Sequence, residues 1–303
     1  MKQPTEDLKT ILDFVRWGAS RFNTAELFFG HGTDNATDEA IWLVCHTLHL
    51  DAPIPEEFFG ARLTADEKHA IAELFERRIN EHLPAAYLTN SARFMGLEFY
   101  VDERVLIPRS PLAELIEQRF EPWIDPDHVN RIVDMCTGSG CIAIACAYAF
   151  PEAQIDAVDL SDGALDVAHI NIERHGLANV AAHQSDLFEG LPAAQYDIIV
   201  SNPPYVDDQE MAELRQEYRH EPTVGLAAGP GGLDIVLRLL RHAPAFLGED
   251  GVLVVEVGAA REALEERCLH VPFTWLEFEH GGEGVFLLRA NDLKNSVSQI
   301  DVA

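Results

Sequence analysis

The residues most able to do chemistry stand in one short run, Asn202-Pro203-Pro204-Tyr205, directly after the strand-like Ile198-Ile199-Val200-Ser201. A buried strand that breaks into two prolines can neither continue a ladder nor start a helix there. The prolines stiffen the turn and donate no amide hydrogens, so carbonyls are its main-chain polar groups. The Asn202 side-chain oxygen and the Pro203 carbonyl can accept both N–H bonds of a planar NH2 group, and Tyr205 can stack on its plane. Such a site, with Pro204 completing its wall, suits an amide or aromatic amine, whose lone pair is delocalised and poorly nucleophilic.

Three further stretches carry residue types that hold a nucleoside. Arg131-Ile132-Val133-Asp134-Met135 runs into Cys136-Thr137-Gly138-Ser139-Gly140, where glycines let the backbone approach a ligand and turn tightly into a helix. Asp159 ends the next strand, about 20 residues after the glycine turn, and is placed to accept from ribose hydroxyls. In Gln184-Ser185-Asp186-Leu187, Asp186 can accept from an adenine amino group, with Leu187 and Phe188 flanking the base.

Gly138-Ser139-Gly140-Cys141-Ile142-Ala143 also fits the dinucleotide pattern, so the glycine loop alone leaves a nicotinamide oxidoreductase open. Two features weigh against that enzyme. Asp134, just before the loop, would repel a pyrophosphate, yet it can bind a cationic ammonium directly or through water. Hydride transfer also has no use for Asn202 to Tyr205. A nucleoside beside a planar nitrogen suggests methyl transfer from a sulfonium, an in-line displacement in which alignment supplies roughly 7–11 kcal/mol in favourable cases. The two acceptors also stabilise positive charge developing on nitrogen in the transition state. No general base is evident, and the proton can leave to water after transfer. Glu256, at the end of the Val252–Val257 run, is expected to point toward the same carboxyl edge.

The elements that must position these loops read as two kinds. Residues 1–88 read as helices only. Leu8, Ile11, Leu12 and Val15 have helical spacing, Thr37 looks like the capped start of a helix over 38–50, and Thr64-Ala65-Asp66-Glu67 is a capping box. Residues 89–108 change period around Gly96 and suggest a β-hairpin linker. From 109 to 303 strands and helices alternate. Strand-like runs are 131–135, 154–159, 179–184, 197–201, 251–257, 273–278 and 284–289. Helices fall over 141–150, 162–175 and 231–247, and near 208–219 and 260–268. This alternation predicts an α/β fold with a mostly parallel, seven-stranded, Rossmann-like sheet covered on both faces. His280-Gly281-Gly282-Glu283-Gly284 leaves no room for a crossover, so the last two strands are expected to be antiparallel.

Composition narrows the partners. Of 303 residues, 51 are acidic and 22 basic, giving a net charge of −29. Such a field repels phosphate backbones and steers in a basic partner. A nucleic-acid amino-methyltransferase would use the same acceptor loop, and the charge is the main feature against it. No direct nucleic-acid binding is expected, and a binding module without activity would leave the full set of site residues unexplained. No apolar run reaches about 18 residues, and Met1 to Asp7 lack the apolar core of a signal peptide. A soluble, cytoplasmic protein that contacts no membrane is expected. The five cysteines form no C-x-x-C pair and the thirteen histidines no H-E-x-x-H pattern, so no metal site is indicated.

Together these residues resemble the glutamine-specific protein methyltransferases of the HemK family over essentially the whole chain. The resemblance implies a class I methyltransferase domain, a helical N-terminal domain that recognises the substrate, and S-adenosyl-L-methionine as cofactor. It implies that Thr137, Gly138, Ser139, Gly140 and Asp159 bind the cofactor, beside the Asp134, Asp186 and Leu187 read from the strand ends, and that Asn202 to Tyr205 hold the glutamine amide, Asn202 also bordering the cofactor. Gly231-Gly232-Leu233-Asp234 resembles the family's Gly-Gly-x-Asp-Gly, with Ile235 in place of the last glycine. One branch of the family methylates peptide-chain release factors and typically reads Pro-Arg-Pro-Glu-Thr after the linker. This chain reads Pro108-Arg109-Ser110-Pro111-Leu112, and with Cys136, Cys141 and Gly281-Gly282-Glu283-Gly284 it resembles the branch acting on ribosomal large-subunit protein L3. Ser110-Pro111 is equally a good helix start. A basic substrate of that kind is consistent with the acidic charge and would be modified before it joins rRNA.

Overall fold

The computed structural model describes residues 5–51, 53–191 and 193–297. Met1 to Pro4, part of the stretch read above for a leader, lie outside them. The chain divides into two compact units. One is Met1–Ala92 together with Arg215–His220; the other is Arg93–Leu214 together with Glu221–Ala303.

The first unit is built from α1 (Ile11–Thr24), α2 (Ala36–Thr47), α3 (Ala65–Glu81) and α4 (Ala85–Thr89). Its apolar centre holds Phe14, Phe22, Leu43, Ile71 and Phe75, all fully buried. The capping box of α3 is present: Thr64 accepts from the Glu67 amide and Glu67 accepts from the Thr64 amide. Helix α2 starts earlier than its sequence suggests. Asn35 is its cap and accepts from the Thr37 and Asp38 amides, so Thr37 sits inside the first turn. Arg78 is buried and donates to Glu39 at 2.7 Å, to Glu217 at 3.4 Å and to the Phe28 carbonyl at 2.9 Å. Arg215–His220 belongs to this unit through that buried Glu217.

The second unit begins with β1 (Ala92–Phe94) running into it and β2 (Leu97–Phe99), which pair as a two-stranded sheet. Positive φ angles of 50° and 72° at Met95 and Gly96 make the tight turn between them. Helix α5 (Leu112–Glu117) leads to alternating strands and helices: β3 (Arg131–Met135), α6 (Cys141–Ala149), β4 (Gln154–Asp159), α7 (Asp162–His175), β5 (Val180–Gln184) and β6 (Tyr196–Ser201). Then come α8 (Asp208–Glu213), α9 (Asp234–His242), β7 (Leu247–Glu256), α10 (Arg261–Arg267), β8 (Thr274–Leu276), β9 (Val285–Arg289) and α11 (Ala290–Ser296).

The seven strands lie in the order β5-β4-β3-β6-β7-β9-β8. The first five are parallel, and β9 is antiparallel to both β7 and β8. The short link over 280–284 therefore does join antiparallel strands. On one face Val133, Met135, Ile199 and Leu253 pack with Leu240, Leu264 and Leu293. On the other, Ile132, Ile198, Val200 and Val252 pack with Ile116, Ile144 and Cys146. Burial on both faces is why these strands read as continuous apolar runs. The chain moves outward from β3 to β4 and β5, then returns to β6 on the far side of β3. That reversal opens a crevice at the carboxyl ends of the central strands.

Two expected helices are shorter. The stretch over 231–247 forms a true helix only at Asp234–His242, because Gly231 takes a φ of 72° and residues 243–245 tighten into a 3-10 turn around Pro244. The stretch near 208–219 is the short α8 followed by the 3-10 turn Gln216–His220.

Candidate functional site

A cavity partly open to solvent lies at that crevice within the second unit. The loop after β3 contributes Cys136, Thr137, Gly138 and Ser139; that after β4, Asp159, Leu160 and Ser161; that after β5, Asp186 and Leu187. Asn202 and Pro204 enter from the end of β6, and Arg109, Ser110, Pro222 and Val224 close another side. Four loops distant in sequence thus meet because parallel strands deliver all their carboxyl ends to one edge.

The glycine loop is braced from both sides. Asp159 accepts from the Gly138 amide and from the Ser161 amide, each at 2.9 Å. Burial raises its carboxyl above its ordinary value. Gly138 has a φ of 54°, and a Cβ there would point into open space, so the residue leaves the cavity floor bare where backbone can meet a ligand. Cys136 and Leu187 hold positive φ angles of 62° and 52° without being glycine. Backbone strain of about 1–3 kcal/mol is retained at each where both border the cavity.

Asp134, expected to meet a cationic ammonium directly or through water, is set back from the cavity. It is fully buried and is not among the lining residues. One oxygen accepts from the Thr137 hydroxyl at 2.5 Å and from the Ala143 amide at 3.0 Å, while the other is buried without a partner. Burial pushes its carboxyl up to about 7. Asp134 therefore shapes the glycine loop from behind. Gly140, at the start of α6, likewise turns the chain without lining the cavity.

Within the acceptor run, Asn202 and Pro204 are among the residues that line the cavity, and Pro203 and Tyr205 are not. The Tyr205 hydroxyl donates to Glu256 at 3.0 Å. Its main chain is wedged by the glycine motif: a Cβ on Gly232 would lie 2.1 Å from the Tyr205 carbonyl oxygen. Glu256 does sit at the carboxyl edge, buried, and takes a second hydroxyl from Ser110 at 2.5 Å. Its carboxyl is raised by that burial.

Two cavity residues have partners that the sequence reading did not connect to them. Arg109 makes a two-pronged ion pair with the buried Glu221, at 2.5 and 2.7 Å, tying loop 104–110 to loop 221–225. Asp186 pairs with Arg238 of α9 at 2.9 Å. These partners are 112 and 52 positions apart in the chain, and no spacing pattern connects them.

Residues 116–222 match the family described as methyltransferase small domain. The chain is 50% identical, over 288 residues, to the ribosomal protein uL3 glutamine methyltransferase of Xanthomonas campestris pv. campestris, covering 95% of this chain and 94% of that one. It is 47% identical, over 290 residues, to the protein of the same name from Bordetella pertussis, covering 95% and 97%. The chain belongs to the ribosomal protein uL3 glutamine methyltransferases. Among solved structures, the hMettl16 catalytic domain in complex with a 3'UTR hairpin is similar in fold alone, with a TM-score of 0.50 and 19% identity over 78% of this chain and 85% of that one.

Members of this family are methyltransferases, and the cofactor is S-adenosyl-L-methionine. The cavity fits that group. The Gly138 cradle lies open, Asp159 and Asp186 offer carboxylate oxygens for hydroxyl and amino donors, and Leu160, Leu187 and Val158 offer apolar surface for a base. Among the described residues, no helix is long and apolar enough to cross a membrane.

Proposed function

We propose that the chain transfers a methyl group from S-adenosyl-L-methionine to the side-chain amide nitrogen of a glutamine in ribosomal protein uL3. The observation that carries this reading is the sharing of one cavity by Asn202 and Pro204 with Gly138, Asp159 and Asp186. Relatives bearing that activity in their names match the chain nearly end to end.

The loop Thr137 to Gly140 and the side chains of Asp159, Asp186 and Leu187 hold the cofactor, with Asp134 fixing the loop. When bound, the cofactor supplies an electrophilic methyl group. Asn202 and the Pro203 carbonyl accept the two N–H bonds of the glutamine amide and hold its nitrogen in line for displacement. The same acceptors stabilise charge developing on that nitrogen. Pro204 stiffens the wall, and Tyr205 backs the acceptor loop through its tether to Glu256. The helical N-terminal unit recognises the substrate protein, which is modified in the cytoplasm before it joins rRNA. The chain itself makes no contact with nucleic acid.

The test is methylation of purified uL3 and of a release factor, side by side, with radiolabelled cofactor. Label in uL3 alone is the expected result, and label in the release factor alone would overturn the substrate. In the same assay Asn202→Ala should abolish transfer while cofactor binding measured by calorimetry is largely kept. An active Asn202→Ala protein would dispose of the acceptor role.

A further inference from the structure

Glu256 closes β7 with a carboxylate that is only 6% exposed, and its two oxygens are divided between two walls of the cavity. One accepts from the Ser110 hydroxyl at 2.5 Å, the other from the Tyr205 hydroxyl at 3.0 Å. Ser110 also accepts from the Leu112 amide at 3.2 Å, so its single hydrogen is committed to Glu256. Ser110 lines the cavity directly; Tyr205 ends the run whose Asn202 and Pro204 line it. The Tyr205 ring has little freedom of its own. A Cβ on Gly258 would sit 2.7 Å from it, and a Cβ on Gly284 would sit 2.2 Å from the Gly258 carbonyl oxygen. Close-packed backbone therefore presses the ring from one side while the carboxylate holds its far end.

We propose that Glu256 is a positioning residue that fixes the acceptor loop relative to the Ser110 wall and so sets where the glutamine carboxamide comes to rest. The proposal rests on the reading of Asn202 to Tyr205 as the amide-holding loop. A carboxylate is suited to this task because each of its oxygens takes one hydroxyl. A carboxamide of the same shape has a single acceptor oxygen, so Glu256→Gln keeps the volume but loses one of the two tethers or reverses it, its amide then facing that hydroxyl as a donor. Arg109, whose charge acts on Glu256, is itself held by both oxygens of Glu221.

The experiment compares wild type, Glu256→Gln, Tyr205→Phe and the double variant for uL3 methylation, cofactor binding and thermal unfolding. Glu256→Gln is expected to lower kcat roughly 10- to 100-fold, the scale of an ångström-sized misplacement. Its affinity for S-adenosyl-L-methionine should stay within about twofold of wild type, and any fall in Tm should be small beside the loss of kcat, as the weakening of a single buried hydrogen bond requires. Tyr205→Phe should cost activity in the wild-type background and add little in Glu256→Gln, because both remove one interaction. Wild-type kcat in Glu256→Gln, or a Tyr205→Phe loss that multiplies in full, would overturn the proposal. If Glu256→Gln fails to fold, Ser110→Ala combined with Tyr205→Phe decides it: the two losses should be non-additive, and additive losses refute the coupling. Wild-type protein that labels no uL3 would instead count against the substrate, not against Glu256.

Discussion

At the scale of single residues, two carboxylates behave in ways their positions in the sequence do not announce. Asp159 meets the cavity; Asp134, equally well placed on paper, is turned inward to hold Thr137 and the start of α6. Asp134 illustrates the cost of such service. Burial lifts its carboxyl from an ordinary 3.8 to about 7. Between those values the folded chain holds a proton that the unfolded chain has released. Its contribution to stability is therefore complete below about pH 4 and is lost as pH rises through about 7. The difference is of order 4 kcal/mol. Asp134→Asn keeps one acceptor oxygen for Thr137 and Ala143 and removes the titration. The ligand-free variant should gain Tm relative to wild type at pH 8, with the gain vanishing toward pH 4. A Tm difference that stays constant with pH would contradict this account.

Among the elements, the acceptor loop is held less by its own prolines than by what packs behind it. Gly232, in a turn 27 residues beyond Tyr205, takes a φ of 67° and leaves no room for a Cβ beside the Tyr205 carbonyl. The Gly231-Gly232 pair also explains why α9 starts only at Asp234. Replacing Gly232 with alanine forces either the left-handed backbone strain or a shift of Tyr205. We expect about 1–3 kcal/mol of destabilisation by denaturant unfolding. Transfer should fall further than cofactor affinity does, because the displaced atom belongs to the acceptor loop. Equal losses in both, measured by activity and calorimetry, would show that the contact serves the fold alone.

For the whole molecule, the net charge of −29 is the property that matters for meeting a partner. A basic protein substrate is attracted over a distance set by the Debye length, about 30 Å at 0.01 M salt and about 8 Å at 0.15 M. Methylation of uL3 at concentrations well below KM should therefore slow as salt is raised across that range. Cofactor affinity should change much less, since its contacts lie inside the cavity. A rate indifferent to ionic strength would remove steering from the mechanism.

The sequence by itself determined the sheet and brought the candidate site forward. The run Asn202 to Tyr205 is contiguous, so its stiffness and the acceptors proposed for it were visible at once. The strands read clearly because burial on both faces requires unbroken apolar runs, and the link over 280–284 was too short for anything but an antiparallel return. Asp159 and Asp186 were placed correctly by the rule that strand ends share an edge. Other features depended on the fold. β9 inserts between β7 and β8, Arg109 finds Glu221, and Glu256 joins Ser110 to Tyr205. Asp134 is claimed from behind the glycine loop, where one of its oxygens takes both the Thr137 hydroxyl and the Ala143 amide of α6. Local pattern encodes periodicity and turn chemistry, which act over a few residues. Which distant side chains satisfy one buried carboxylate is settled only when the strands are ordered and the core excludes water.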